Sequence, residues 1–205
     1  MEKISAYGVV KMLESIANVM DRSRDYLIEL DSAIGDGDLG ITMAKSFRVA
    51  CTYAKEHSSQ KSGELLMHCG MQIVKSAPST MGTLMGSGFM YGGKEIRDRT
   101  ELNAQDLVVF FDSFLKGVLE RGKAKQGDKT IVDILYPLVE TMKSYQGNNI
   151  SELLKLGANG ARKGLEDENG MMSQHGKAAV FREKTMNLID PGSMAMVFFI
   201  EACRD

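Results

Sequence analysis

The chain has 205 residues, 43% of them hydrophobic and 25% charged, so it carries enough apolar material for a substantial core and is not disordered. Its 27 acidic and 25 basic residues leave a formal charge of −2, which provides no basic field to hold a nucleic-acid backbone. The most apolar stretches, such as 194–200, fall well short of the ~20 residues of a bilayer helix. Glu2, Lys3, Lys11 and Glu14 also interrupt the first twenty residues, where a signal peptide would be apolar, so the expectation is a cytoplasmic protein with neither membrane nor nucleic acid as partner.

From Ile4, apolar residues at Tyr7, Val9, Val10, Leu13, Ile16, Ala17 and Met20 recur at intervals of three and four, the stripe of an amphipathic helix. The same period predicts helices over about 22–31, 41–57, 61–77, 82–92, 104–120, 129–143, 150–168 and 192–203. Only three prolines occur, and no strand alternation of convincing length is present. Glycine-rich breaks at 35–40, 79–82, 122–127 and 147–149 fall between these segments. Residues 169–191 have no strong period and are long for a connection, which marks them as a candidate functional loop or lid. With no repeat, linker or low-complexity tract, one all-α domain over 1–205 is the economical reading. Cys51, Cys69 and Cys203 have no zinc or redox spacing and read as small buried residues.

The strongest chemical signal is Asp31-Ser-Ala-Ile-Gly-Asp36-Gly-Asp38-Leu-Gly40, three carboxylates within eight residues. Such carboxylates repel one another unless they are solvated or share a cation, and a hard divalent ion with oxygen ligands resolves the repulsion. The alternative is an ordinary Asp-Gly turn. Gly35-x-Gly37-x-x-Gly40 has the spacing of a dinucleotide fold, but Asp36 and Asp38 would face pyrophosphate and no βαβ unit surrounds them. A calcium loop starting at Asp36 fails at Phe47, where a bidentate glutamate is required. Gly88 to Lys94 fails as a Walker loop at Glu95, where Ser or Thr must stand. Ser79 to Gly82 and Gly127 to Thr130 each precede a helix, where free amides and the macrodipole favour an anion; simple capping and a solvated Lys129 are the plainer alternatives. Asp190-Pro191-Gly192 reads as a turn into the last helix, and Lys177, Arg182 and Lys184 as a solvated face. His57, His68 and His175 are too scattered to form a constellation, and no nucleophile motif occurs.

In combination and order, these motifs resemble the nucleotide-binding L subunit, or L domain, of dihydroxyacetone kinases (DhaL, or DAK2, type). The resemblance rests on the triple-Asp block through Thr42-Met43, on Gly82-Thr-Leu-Met-Gly86, on Arg121-Gly-Lys-Ala124 with Gly127-Asp-Lys-Thr130 and Asp133, and on Gly176-Lys-Ala178 through Asp190-Pro-Gly192. It implies an antiparallel eight-helix barrel with nucleotide at one end. Asp31, Asp36 and Asp38 would coordinate two Mg2+ ions bridging the phosphates. Leu39, Gly40, Ile41, Thr42, Thr80, Met81, Gly122, Ile131, Lys177, Asp190, Pro191 and Gly192 would surround ADP or ATP. The implied activity is that of a phosphotransferase subunit of the glycerone-kinase type, passing a phosphoryl group to a ketose held on a separate K-type subunit. The length resembles the L subunit of phosphotransferase-system enzymes, in which an M-type subunit rephosphorylates bound ADP; direct use of ATP, a regulatory nucleotide-binding role without transfer, and a homodimer stay open. The sequence departs from the family pattern at Leu39 (usually His), at Ser79-Thr80-Met81 (Gly-Ala-Ser or Gly-Ser-Ser), at Thr83 (Pro), at Lys177 (Arg) and at Arg182 (Gly).

Overall fold

The computed structural model describes residues 3–204. In chain order these form α1 (Ala6–Arg22), α2 (Arg24–Ile34), α3 (Leu39–Glu56), α4 (Ser62–Ser76), α5 (Thr80–Glu95), α6 (Ala104–Gly122), α7 (Ile131–Ser144), α8 (Ile150–Asp167) and α9 (Pro191–Ala202). Each expected helix is present, with ends moved to where a capping group stands. Ser79 accepts the Gly82 amide and starts α5 at Thr80; Thr130 accepts the Val132 amide and delays α7 to Ile131; Asp190 accepts the Ser193 amide with Pro191 at the first helical position. Two features were not foreseen. β1 (Ile4–Ser5) and β2 (Glu101–Leu102) form a two-residue antiparallel pair, too short to leave an alternating signature, and the irregular stretch contains a 3-10 helix over Ala178–Thr185.

Eight helices close a ring in the order α1, α3, α4, α5, α6, α7, α8, α9 and back to α1, while α2 packs outside it on α3 and α9. The N-termini of α3, α5, α7 and α9, alternate members of this ring, line a single cleft, so neighbouring helices run antiparallel. The all-α barrel architecture implied by the resemblance is therefore the one adopted, with α2 as a ninth helix outside the ring.

The interior is filled by aromatic rings. Phe89 lies at its hub, with centroids of Phe110, Phe114 and Phe199 each 5.7 Å away and that of Phe47 at 6.0 Å, mostly edge-on. Close helix approach depends on glycine at the α4–α5 crossing: a Cβ on Gly70 would lie 2.7 Å from the Gly86 carbonyl, and one on Gly86 2.8 Å from that of Gly70. The three cysteines are buried and unbridged. Among the described residues, no helix is long and apolar enough to cross a membrane.

Candidate functional site

α2 ends at Ile34 and places Asp31 on its last turn, where only 8% of the residue is exposed. Its Oδ2 accepts the Leu39 amide at 3.1 Å, tying the end of α2 to the start of α3. Glycine makes the intervening turn possible. A Cβ at Gly35 would fall 2.2 Å from Asp31 Oδ1, and Gly37 has φ +73°, a conformation that side chains disfavour. The result is a convergence: one carboxylate oxygen from each of Asp31, Asp36 and Asp38 lies within 4.8 Å of the others. Asp36 and Asp38 are exposed. The one cation that reaches this trio from within the described chain is Lys177, whose Nζ forms an ion pair with Asp36 Oδ2.

The trio sits at the mouth of a cleft of about 950 Å³. Four helix N-termini point into it, at Leu39, Thr80, Ile131 and Pro191, each bringing amides without helical partners and the positive end of a macrodipole. Of the residues singled out from the sequence, Asp31, Asp36, Asp38, Leu39, Thr80, Met81, Gly122, Ile131, Lys177, Asp190, Pro191 and Gly192 line this cleft. Gly40, Ile41 and Thr42 do not. The 100° advance per residue of α3 turns Gly40 and Ile41 away from the face of Leu39: Gly40 is buried against the Arg24 carbonyl, and Ile41 is 56% exposed. Thr42, three residues on, returns to the side of Leu39 but is half-buried and one turn farther from the helix end.

Ser79, Thr83, Leu84 and Arg121, which belong to the quoted motifs but were not among the expected site residues, also line the cleft, as does His175. For the first four, membership of a quoted motif was the signal. His175 had none, because its partner lies 47 positions away: its Nε2 is 2.8 Å from Asp128 Oδ2.

Behind the wall lies a second group of charges. Asp128, Lys129, Asp133 and Glu168 are all buried, so the solvated role open to Lys129 in sequence is not adopted. Lys129, with φ +57°, donates to the carbonyls of Thr185 at 2.7 Å and Met186 at 3.3 Å. Asp133 accepts the amides of Gly127 and Thr130 at 2.5 and 2.9 Å, and Asp128 accepts that of Lys125 at 2.9 Å. Burial lowers the Lys129 ammonium pKa, against the pull of Glu168 and Asp190. Burial, reinforced by the charge of Asp190, pushes Glu168 up to about 9 despite the hydrogen bond from Ser193. Asp190 is pushed up to about 6 by burial, opposed by its bonds from Ser193 and Gly192. Burial also works against ionising Asp128, yet the Lys125 amide and His175 hold its carboxyl below the usual range.

Residues 33–205 match the family model of the DAK2 domain. The chain belongs to the DAK2 domain family. Among curated DAK2 relatives, it is 27% identical over 97% of its length, and 95% of the relative's, to the PEP-dependent dihydroxyacetone kinase, ADP-binding subunit DhaL, of Escherichia coli K12. It is 31% identical, over 89% of its own length and 86% of the relative's, to the corresponding subunit of dihydroxyacetone kinase 2 from Listeria innocua. The fold matches that of the C. freundii dihydroxyacetone kinase crystallised with AMP-PNP and Mg2+, with a TM-score of 0.70 at 20% identity, over 96% of this chain and 33% of that longer one. The family resemblance drawn from the four sequence blocks is therefore correct.

Proposed function

We propose that this chain is the nucleotide-binding subunit of a ketose kinase, in which Mg2+-bound ADP or ATP occupies the cleft and a phosphoryl group passes to a sugar held on a separate K-type subunit. The observation that carries this reading is the meeting of two complementary charge patterns. Three carboxylate oxygens within 4.8 Å form a hard-oxygen donor set suited to divalent ions, and they open onto a cleft ringed by four helix N-termini suited to phosphates.

The fit to magnesium also rests on the chain's own substitute, since the Lys177 ammonium already lies against Asp36. Asp31, Asp36 and Asp38 would hold two Mg2+ ions, which supply charge neutralisation to the phosphates when bound. Asp31, fixed by the Leu39 amide, sets the position of the trio; the first-turn amides of α5, α7 and α9 take phosphate oxygens; Lys177 adds a movable positive charge; Ile131 and Met81 offer apolar walls to the base. Phosphoryl transfer of this type is positioning and electrostatics, so the chain needs no nucleophile. The named activity of the DhaL relatives and their near-equal length favour the phosphotransferase-system version, with an M-type subunit restoring the phosphoryl group of bound ADP.

The test is thermal unfolding of nucleotide-stripped protein with ADP or ATP, with and without Mg2+. Ligand at about 100 times its Kd adds about 2.7 kcal/mol. A Mg2+-dependent rise is expected for wild type, and its absence for both nucleotides would remove the reading. Mixing with a K-type subunit, ketose and ATP or a phosphorylated M-type subunit then identifies the donor.

A further inference from the structure

The loop over 171–189 brings His175 and Lys177 to the cleft, yet almost nothing apolar holds it there. Within it only Ser173 and Thr185 are buried, and both are polar. Of its large apolar side chains, Met172, Val180, Phe181, Leu188 and Ile189 are exposed and only Met171 and Met186 are half-buried. Behind its returning limb is a small cavity of about 130 Å³, bounded by Lys129, Glu168, Asn169 and residues 187–189. A segment packed this loosely keeps its place through hydrogen bonds, and those bonds converge on two consecutive residues.

Asp128 takes the outgoing limb: its carbonyl accepts the Gln174 amide at 3.0 Å and its carboxylate meets His175. Lys129 takes the returning limb, with its ammonium on the Thr185 and Met186 carbonyls. The base is closed by the Ser173 amide on Thr185 Oγ1 at 2.9 Å and by the Gly170 amide on the Met186 carbonyl at 3.0 Å. The turn holding Asp128 and Lys129 is itself anchored, since Asp133 accepts the amides on either side of the pair. Lys129 spends a fully buried charge on two loop carbonyls, an arrangement a surface lysine elsewhere in the turn could not provide.

We infer that Asp128 and Lys129 are positioning residues that clasp the two limbs of the 171–189 loop and so hold His175 and Lys177 over the nucleotide cleft. This deepens the nucleotide reading and rests on it for the cleft's ligand, while the clasp itself can be tested without ligand. Neither residue needs to touch nucleotide to govern its affinity.

Hydrogen exchange of the nucleotide-free full chain is compared for wild type, Lys129→Met and Asp128→Ala, with Mg2+–ADP affinity measured on the same samples. In Lys129→Met, amides of 171–189 are expected to exchange at least tenfold faster with those of the ring helices unchanged, and affinity to fall at least tenfold. Asp128→Ala removes the carboxylate that meets His175 but keeps the carbonyl that holds Gln174, so its increase is smaller and concentrates at 175–178; it also serves if Lys129→Met does not fold. Unchanged loop exchange overturns the clasp, and so does an increase spread evenly over α1 to α9, which would mark Lys129 as a general stabiliser. Faster loop exchange with unaltered affinity overturns its positioning role. If wild type binds no nucleotide while Asp31, Asp36 and Asp38 are intact, the nucleotide reading fails and takes the positioning role with it, leaving loop exchange to decide the fastening alone.

Discussion

Two turns of this molecule concentrate acidic residues and treat them in opposite ways. In the turn after α2, Asp36 and Asp38 face solvent, and the trio with Asp31 has few donors from the chain: the Leu39 amide and the exposed end of Lys177. At the start of α7, Asp128 in the preceding turn and Asp133 in the first helical turn are buried and saturated by nearby amides and by His175. The first set keeps charge that the chain matches only in part, and the second has been neutralised by folding. Density of charge alone therefore does not mark a site; unmatched charge does.

Breaking the second turn gives the largest expected effect. Asp133→Ala strands the amides of Gly127 and Thr130, and a loss of about 3 kcal/mol is expected in chemical denaturation. The matching change in the first turn does the reverse. Asp36→Asn relieves repulsion and leaves the ligand-free protein at least as stable, yet it removes the Mg2+-dependent gain of about 2.7 kcal/mol from saturating nucleotide. If Asp36→Asn unfolds the protein, or Asp133→Ala leaves it unharmed, the contrast between the turns collapses.

Glu168 sharpens the comparison because it is buried and acidic but not fully compensated. Its pKa is raised from 4.5 to about 9, so the folded state holds this proton more tightly than the unfolded chain does. Its contribution to stability is therefore greatest at low pH and is lost as pH rises from about 4.5 towards 9. Glu168→Gln keeps an acceptor for Ser193 without the proton requirement. It should stabilise the protein by roughly 2 kcal/mol at pH 8 and remove most of the decline expected of wild type between pH 5 and 8.

The smallest effect is expected at Arg182, which lies inside the 3-10 segment with φ +47° and ψ −124°, a region costly to any side chain. The family pattern has glycine there. Arg182→Gly should raise the melting temperature slightly, corresponding to about 1 kcal/mol or less once the added freedom of the unfolded chain is counted.

The helices were legible because each carries a 3.6-residue stripe over ten or more positions, whereas their ends shifted by a few residues to caps such as Thr130 and Asp190, which the period does not register. The acidic trio was legible for the same reason: Asp31, Asp36 and Asp38 are joined by one glycine turn. His175 was set aside as one of three scattered histidines, and Lys129 could be read as a solvated residue, because what defines each lies far along the chain, Asp128 for the one and the carbonyls of Thr185 and Met186 for the other. Gly40, Ile41 and Thr42 were placed at the site by motif; of that run only Leu39 lines the cleft, since the helix turns Gly40 and Ile41 to other faces and sets Thr42 one turn back.

Sequence alone thus determined the all-α class, the position of nearly every helix, the family and the carboxylates offered to a cation, since each depends on residues within a turn or two of one another. Only the tertiary structure decided that alternate helices of a closed ring aim four N-termini at those carboxylates. It alone decided, too, that Lys129 is a buried fastening, because burial and hydrogen-bond partners are set by segments some fifty residues away.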